Sequence, residues 1–137
     1  MSLFNVFDIA GSALSAQSIR LNTIASNLAN SEVVSDNPDA VYHARYPVFS
    51  TVYDGEIAGS EAGRVRVDGI VESSAAPHQE YSPGHPLADE EGFIYMSNVN
   101  AVEEMANMIS ASRSYQSSVD AMNTTKQLIM RTLSLGS

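Results

Sequence analysis

Hydrophobic positions recur at steps of four and three at both ends of the chain and lose that rhythm between them. Leu3, Phe7, Ala10, Leu14, Gln17, Leu21, Ile24 and Leu28 keep the step, and seven of the eight are apolar. That spacing predicts a helix with a seam for packing on another helix in coiled-coil fashion. Gly11 weakens the helix by about 1 kcal/mol relative to Ala. Small residues around it (Ser12, Ala13, Ser15, Ala16) let a neighbouring backbone come close. The pattern stops near Asn30, where Ser31 and then Asn37-Pro38 break it.

The second periodic segment opens at Asn100. Asn is a good N-cap, and Glu103 three residues later completes the spacing of a capping box. Glu103 and Glu104 suit the positive end of the helix dipole. The stripe continues through Met105, Met108, Ser112, Tyr115, Val119, Met122, Lys126, Ile129 and Leu133, seven of nine apolar, with Val102 and Ile109 widening it. Lys126 and Arg131 lie toward the C-terminal end, which favours cations, and Gly136 is a stop.

Between the two, the period changes. Tyr42 to Tyr53 is β-branched and aromatic, and Pro47 limits it to an edge strand or extended arm. Asp54-Gly55 reads as a turn. Arg64 to Val71 reads as a short strand broken by a bulge or bend at Asp68-Gly69. Residues 73–92 carry three prolines and two glycines and read mostly as loop, with Phe93-Ile94-Tyr95 a last short strand. So few strands do not make a self-sufficient sheet.

The fold predicted is mainly α: long N- and C-terminal helices paired as an antiparallel coiled-coil-like hairpin, with an extended or β insert between them. The divisions fall at 1–34, 35–97 and 98–137. Two helices bury only one face each, so Phe4, Val6, Ile9, Ile19 and Val99 need partners outside the hairpin.

Charge adds a second division. Residues 1–31 balance Asp8 against Arg20, and 32–104 hold fourteen acids against Arg45, Arg64 and Arg66. Residues 105–137 are basic, with Arg113, Lys126 and Arg131 against Asp120. An acidic middle argues against nucleic-acid binding, which needs cations facing phosphates. The near-neutral ends read as surfaces that become covered. No run of about 18 apolar residues occurs, so no membrane-spanning segment is expected. The N-terminus has no basic residue ahead of its apolar stretch and so lacks the start of a secretory signal. The absence of cysteine excludes disulfides and thiolate metal sites.

Chemistry is sparse. His78 and His85, with Glu80, Asp89, Glu90 and Glu91 nearby, could be read as a metal site. However, two histidines with six residues between them, among prolines, match no ligand signature. Glu90-Glu91 and Glu103-Glu104 could be read as acid–base pairs, but adjacent acids at a turn and a helix start are more often solvated or dipole-related. No phosphate loop and no nucleophile motif is present. No cofactor, small-molecule substrate or catalysis is expected.

The stretch SALSAQSIRLNTIASNLANSEV, centred on Asn27-Leu28-Ala29-Asn30, resembles the N-terminal signature of bacterial flagellar rod and hook proteins. The C-terminal stretch from Ser97 resembles the same family's C-terminal signature, through Val102-Glu103-Glu104-Met105, Ser112 to Gln116 and Met122 to Lys126. The loop with Pro83-Gly84-His85-Pro86 and Asp89-Glu90-Glu91-Gly92 is similar to the short proximal-rod members in particular. The sequence departs from the family pattern at Ser97, where Pro is usual, and at Val33, where Thr is common.

The resemblance implies a structural subunit of the proximal rod, exported by the flagellar type III apparatus without a cleaved signal and placed in the periplasmic rod of the basal body. Its partners would be copies of itself, other rod subunits, and the rod cap and export apparatus. A distal-rod or hook-type subunit, or a cytoplasmic helical adaptor, are the alternatives. The residues expected to carry helix packing and assembly are Leu3, Phe7, Leu14, Leu21, Ile24, Asn27, Leu28 and Asn30 at one end. At the other they are Val102, Met105, Met108, Ile109, Tyr115, Val119, Met122, Ile129 and Leu133.

Overall fold

A computed structural model describes residues 3–53 and 63–136. Two long helices bracket five strands: α1 (Leu3–Ala29), β1 (Val34–Ser35), β2 (Arg45–Tyr53), β3 (Gly63–Glu72), β4 (His78–Tyr81), β5 (Phe93–Met96) and α2 (Ala101–Leu135). The Asp54-Gly55 turn and the side chain of Leu3 lie outside the described residues.

The helix ends fall where the local chemistry stops them. α1 ends as the Asn30 N–H reaches back to the Ser26 and Asn27 carbonyls, and the Asn30 side chain donates to the same Ser26 oxygen at 2.8 Å. At α2 the Asn100 carboxamide oxygen accepts from the N–H of Val102 (3.1 Å) and of Glu103 (3.3 Å), satisfying two donors with no helical partner. Gly136 closes α2 with a bond to the Leu133 carbonyl.

The strands form two sheets. One has order β1-β5-β4, antiparallel throughout, pairing Val34 with Met96 on one side and His78 to Tyr81 with Met96 to Phe93 on the other. The other is the ribbon β2-β3, in which Pro47 is tolerated because a two-stranded sheet has only edges.

The insert holds more regular structure than its local signals suggest. β3 runs as a single strand, Gly63–Glu72, through Asp68-Gly69. The stretch 73–92 is mostly loop, as expected, but the four-residue strand β4 lies inside it. Four exposed residues that alternate only weakly gave no strand signal, yet β5 supplies them a complementary edge. With β4 present, the insert does build a three-stranded sheet.

The chain gathers into two compact units. One comprises Asn22–Tyr46 and Ile70–Ile109 and holds the three-stranded sheet; the other comprises Met1–Leu21, Pro47–Gly69 and Ser110–Ser137. Buried side chains are few and mostly small. Ile24, Val41, Ala44 and Ile94 are buried in the first unit, and Ala10, Ala16 and Ala111 in the second.

The face of α2 buried within the chain overlaps the apolar stripe read from the spacing only in part, with Met108, Val119, Met122 and Ile129 of the stripe half-buried. Glu104, Ala111 and Thr125 are buried, and Asn107, Ser114, Ser118, Met122 and Ile129 half-buried, on one side. Ser112 and Lys126, by contrast, are exposed. Small residues allow close backbone approach, and their hydroxyls need no outside partner. Thr125 Oγ1 donates to the Ala121 carbonyl at 2.8 Å and Ser118 Oγ to Ser114 at 3.1 Å, each one turn back. In the same unit Ser12 Oγ donates to the Ile9 carbonyl and accepts the Val65 N–H at 3.2 Å, docking β3 on α1 through a serine.

Candidate functional site

Asn27, in the last two turns of α1, is wholly buried. Its amide nitrogen donates to the Arg45 carbonyl (2.9 Å) and to Glu104 Oε2 (3.0 Å). Its oxygen accepts from the Arg45 N–H and from the Tyr42 hydroxyl, both at 2.9 Å. An amide side chain has two N–H groups and two lone pairs, and all four are used. Tyr42 gives its only hydrogen to Asn27, so the Ser26 hydroxyl at 3.2 Å must donate to Tyr42. One side chain thereby ties the end of α1 to the start of β2 and the first turn of α2.

Glu104 corrects the sequence reading. It occupies the first turn of α2, as expected, but it is only 2% exposed and therefore not solvated. Besides Asn27, its carboxylate is met by the Asn107 amide at 3.4 Å. Burial raises the Tyr46 hydroxyl above its ordinary pKa, and the charges of Glu104 and then Glu103 add to that. Arg45 directs its guanidinium away, to Glu72 at 2.9 Å and over the Tyr42 ring at 5.4 Å. That exposed pair contributes only about 0–1 kcal/mol.

The loop between β4 and β5 is organised by Asp89. Its Oδ1 accepts from the N–H groups of Phe93 (2.8 Å) and Glu91 (3.0 Å), and its Oδ2 from the Tyr95 hydroxyl (3.2 Å). The Phe93 N–H is the largest influence holding this carboxyl below the usual range; partial desolvation opposes it, and Glu91, Tyr95 and Gly92 assist. Gly92 turns the chain at φ +86°, and Tyr81 meets Phe93 edge-on at 5.2 Å. Asp89 is therefore occupied within the loop, whereas Glu80, Glu90 and Glu91 face solvent.

His78 lies exposed on β4, and His85 Nδ1 accepts the Leu87 N–H at 3.1 Å. Among the described residues no group of three or more His, Asp or Glu is placed to hold a metal ion. A groove of about 520 Å³ beside the start of α2 is lined mainly by small and amide residues, with His78 its one titratable side chain.

The residues singled out for packing and assembly divide by exposure. Ile24 and Asn27 are buried, and Leu14, Leu21, Leu28, Asn30, Met108, Val119, Met122 and Ile129 half-buried. Phe7, Val102, Met105, Ile109, Tyr115 and Leu133 are exposed. Val102, Met105 and Ile109 recur at steps of three and four, so they form one apolar strip on the far side of the helix from Glu104 and Ala111. Tyr42, Glu104, Ala111, Thr125 and the Asp89 loop were missed. The small residues flanking Gly11 were a signal of close packing that also applied to Ala111, Ser114 and Ser118.

The two positions that depart from the family pattern meet each other. The Ser97 N–H, which proline would lack, donates to the Val33 carbonyl at 3.3 Å and extends the β1-β5 pairing by one bond.

Comparison with known proteins points the same way. Residues 7–37 match the family of flagella basal body rod proteins, and residues 90–135 the C-terminal family of flagellar basal body rod FlgEFG proteins. The flagellar basal-body rod protein FlgC of Yersinia enterocolitica is 50% identical over 136 residues, covering 99% of each chain. The FlgC proteins of Escherichia coli O157:H7 (48% over 136 residues, 99% of each chain) and of Buchnera aphidicola subsp. Acyrthosiphon pisum (42% over 137 residues, 98% of each chain) are similar along the whole chain as well. The two helices, the polar tie between them and these full-length relatives agree: the chain belongs to the flagellar basal-body rod protein family, as a structural component of the basal body that associates with other rod components and is not an enzyme.

Proposed function

We propose that this chain is a subunit of the proximal rod, exported by the flagellar type III system without a cleaved signal, and that it polymerises through its terminal helices into the drive shaft. The observation that carries the reading is the mismatch on α2. Ala111 and Thr125 are buried within the chain and Ser114 and Ser118 half-buried, while Val102, Met105, Ile109, Tyr115 and Leu133 are left exposed. A single chain gains nothing from apolar side chains in water, so burial against neighbouring helices is their use. Together with Phe7 and the half-buried Leu14, Leu21, Leu28, Val119, Met122 and Ile129, they form the assembly surfaces. In this reading residues 1–34 and 98–137 supply the helical core, paired in coiled-coil fashion in the polymer, and 35–97 the insert. Its partners are copies of itself, other rod subunits, and the rod cap and export apparatus.

Marginal helices suit this life. Most of the buried residues of α1 and α2 are Ala or Thr (Ala10, Ala16, Thr23, Ala111 and Thr125), which contribute little per residue at about 25 cal/mol per Å². Such helices stay loose enough for a narrow export channel and become ordered when neighbours cover them. The test is a deletion strain examined by electron microscopy of its basal bodies. Structures that stop at the inner membrane, restored by the wild-type chain, support a proximal position. Rods that extend before stopping would move the subunit to the distal rod or hook.

A further inference from the structure

The charge of this chain is partitioned by unit. The unit built from 22–46 and 70–109 holds ten acids against Arg45 alone, which accounts for the whole net charge of −9. In the other unit six acids and six basic residues cancel. Both units contain part of α2, so this helix is acidic where it begins and basic where it ends. Each end also bears exposed apolar side chains. Val102 (77% exposed), Met105 (53%) and Ile109 (58%) stand beside Glu103 at the start, and Met130 (61%) and Leu133 (65%) beside Lys126 and Arg131 at the end. At the basic end a hollow of about 460 Å³ is lined by Asn123, Lys126, Gln127, Met130 and Arg131. Neither cation has an ionic partner among the described residues.

We infer that the acidic, apolar start of α2 in one copy docks on the basic, apolar end of α2 in a second copy, a head-to-tail contact. The inference rests on the assembly reading above and adds direction to it. Acidic ends repel one another and so do basic ends, so a contact between like ends is disfavoured. The opposite pairing joins attractive charges around an apolar centre. A contact between two different patches leaves each copy with one patch free, so it propagates into a ring or an open helix and does not stop at a dimer.

The chain has no cysteine, which makes cross-linking clean. The variant Ile109→Cys/Met130→Cys, expressed in a deletion strain, is oxidised mildly in isolated basal bodies and run on a non-reducing gel. The two positions lie about 30 Å apart along one helix, too far for a disulfide within a copy. Head-to-tail contact gives a ladder of trimers and larger species that neither single-cysteine variant produces. A variant present in basal bodies that gives no ladder, or single variants that cross-link to themselves, overturns the inference and leaves the rod reading intact. Absence of the wild-type chain from basal bodies overturns both. In solution, Lys126→Glu/Arg131→Glu in the full chain weakens self-association about ten-fold in sedimentation; unchanged association overturns the inference.

Discussion

Asn27 shows how much one residue can organise when all its hydrogen-bonding capacity is engaged. Replacing it by Ala leaves the Arg45 N–H and carbonyl, the Tyr42 hydroxyl and the Glu104 carboxylate short of a partner in a buried place. We expect Asn27→Ala to cost about 3 kcal/mol or more in urea unfolding of the full chain. Glu104→Gln is expected to behave differently. The amide keeps an acceptor for Asn27 and removes a buried charge that has no cation beside it among the described residues, so stability should hold within about 1 kcal/mol or rise. A large loss in Glu104→Gln would show that the charge, and not the hydrogen bond, holds the tie. Neither role was legible in advance. The family motif marked Asn27 without a physical reason, and Glu104 looked like its exposed neighbour Glu103, since a capping position and a buried partner have the same sequence pattern.

At the scale of elements, the β4–β5 loop should respond to acid. Its Asp89 is held below the ordinary carboxylate range, so the loop gains stability from the ionised form above that range and loses it as pH falls through the lowered folded-state value. We expect the Phe93 and Glu91 amide signals in NMR to move together in that window, and Asp89→Asn to abolish the shift. Gly92→Ala tests the same loop by sterics. At φ +86° a Cβ would lie 3.0 Å from the Tyr81 ring and 3.1 Å from Pro83, and we expect a loss of about 1–2 kcal/mol in thermal unfolding. The helices, the cap at Asn100 and the strands β2, β3 and β5 could be read from spacing, since each has its own local signal. β4 could not, because its strand character comes from β5. The face of α2 buried in the chain was legible only in part: Met108, Val119, Met122 and Ile129 of the apolar stripe are half-buried, whereas Ala111, Ser118 and Thr125 have no large apolar side chain to mark them.

For the molecule as a whole, the polar tie at Asn27 and the exposed ends of both helices imply uneven stability. Ile24, Asn27 and Glu104 are buried near the tie, whereas Phe4 is 70% exposed and Leu135 88%. The helical segments around residues 22–29 and 101–109 are therefore expected to hold in a free copy, and the outer turns to order only when neighbours cover them. Hydrogen–deuterium exchange of the dilute wild-type chain, compared with the same chain in isolated basal bodies, tests this directly. Amide protection in the free chain is expected to be confined to the segments near Asn27 and Glu104 and to spread to both helix ends in the basal body. Uniform protection of α1 and α2 in the dilute chain, lost in a single cooperative transition on heating, would contradict it.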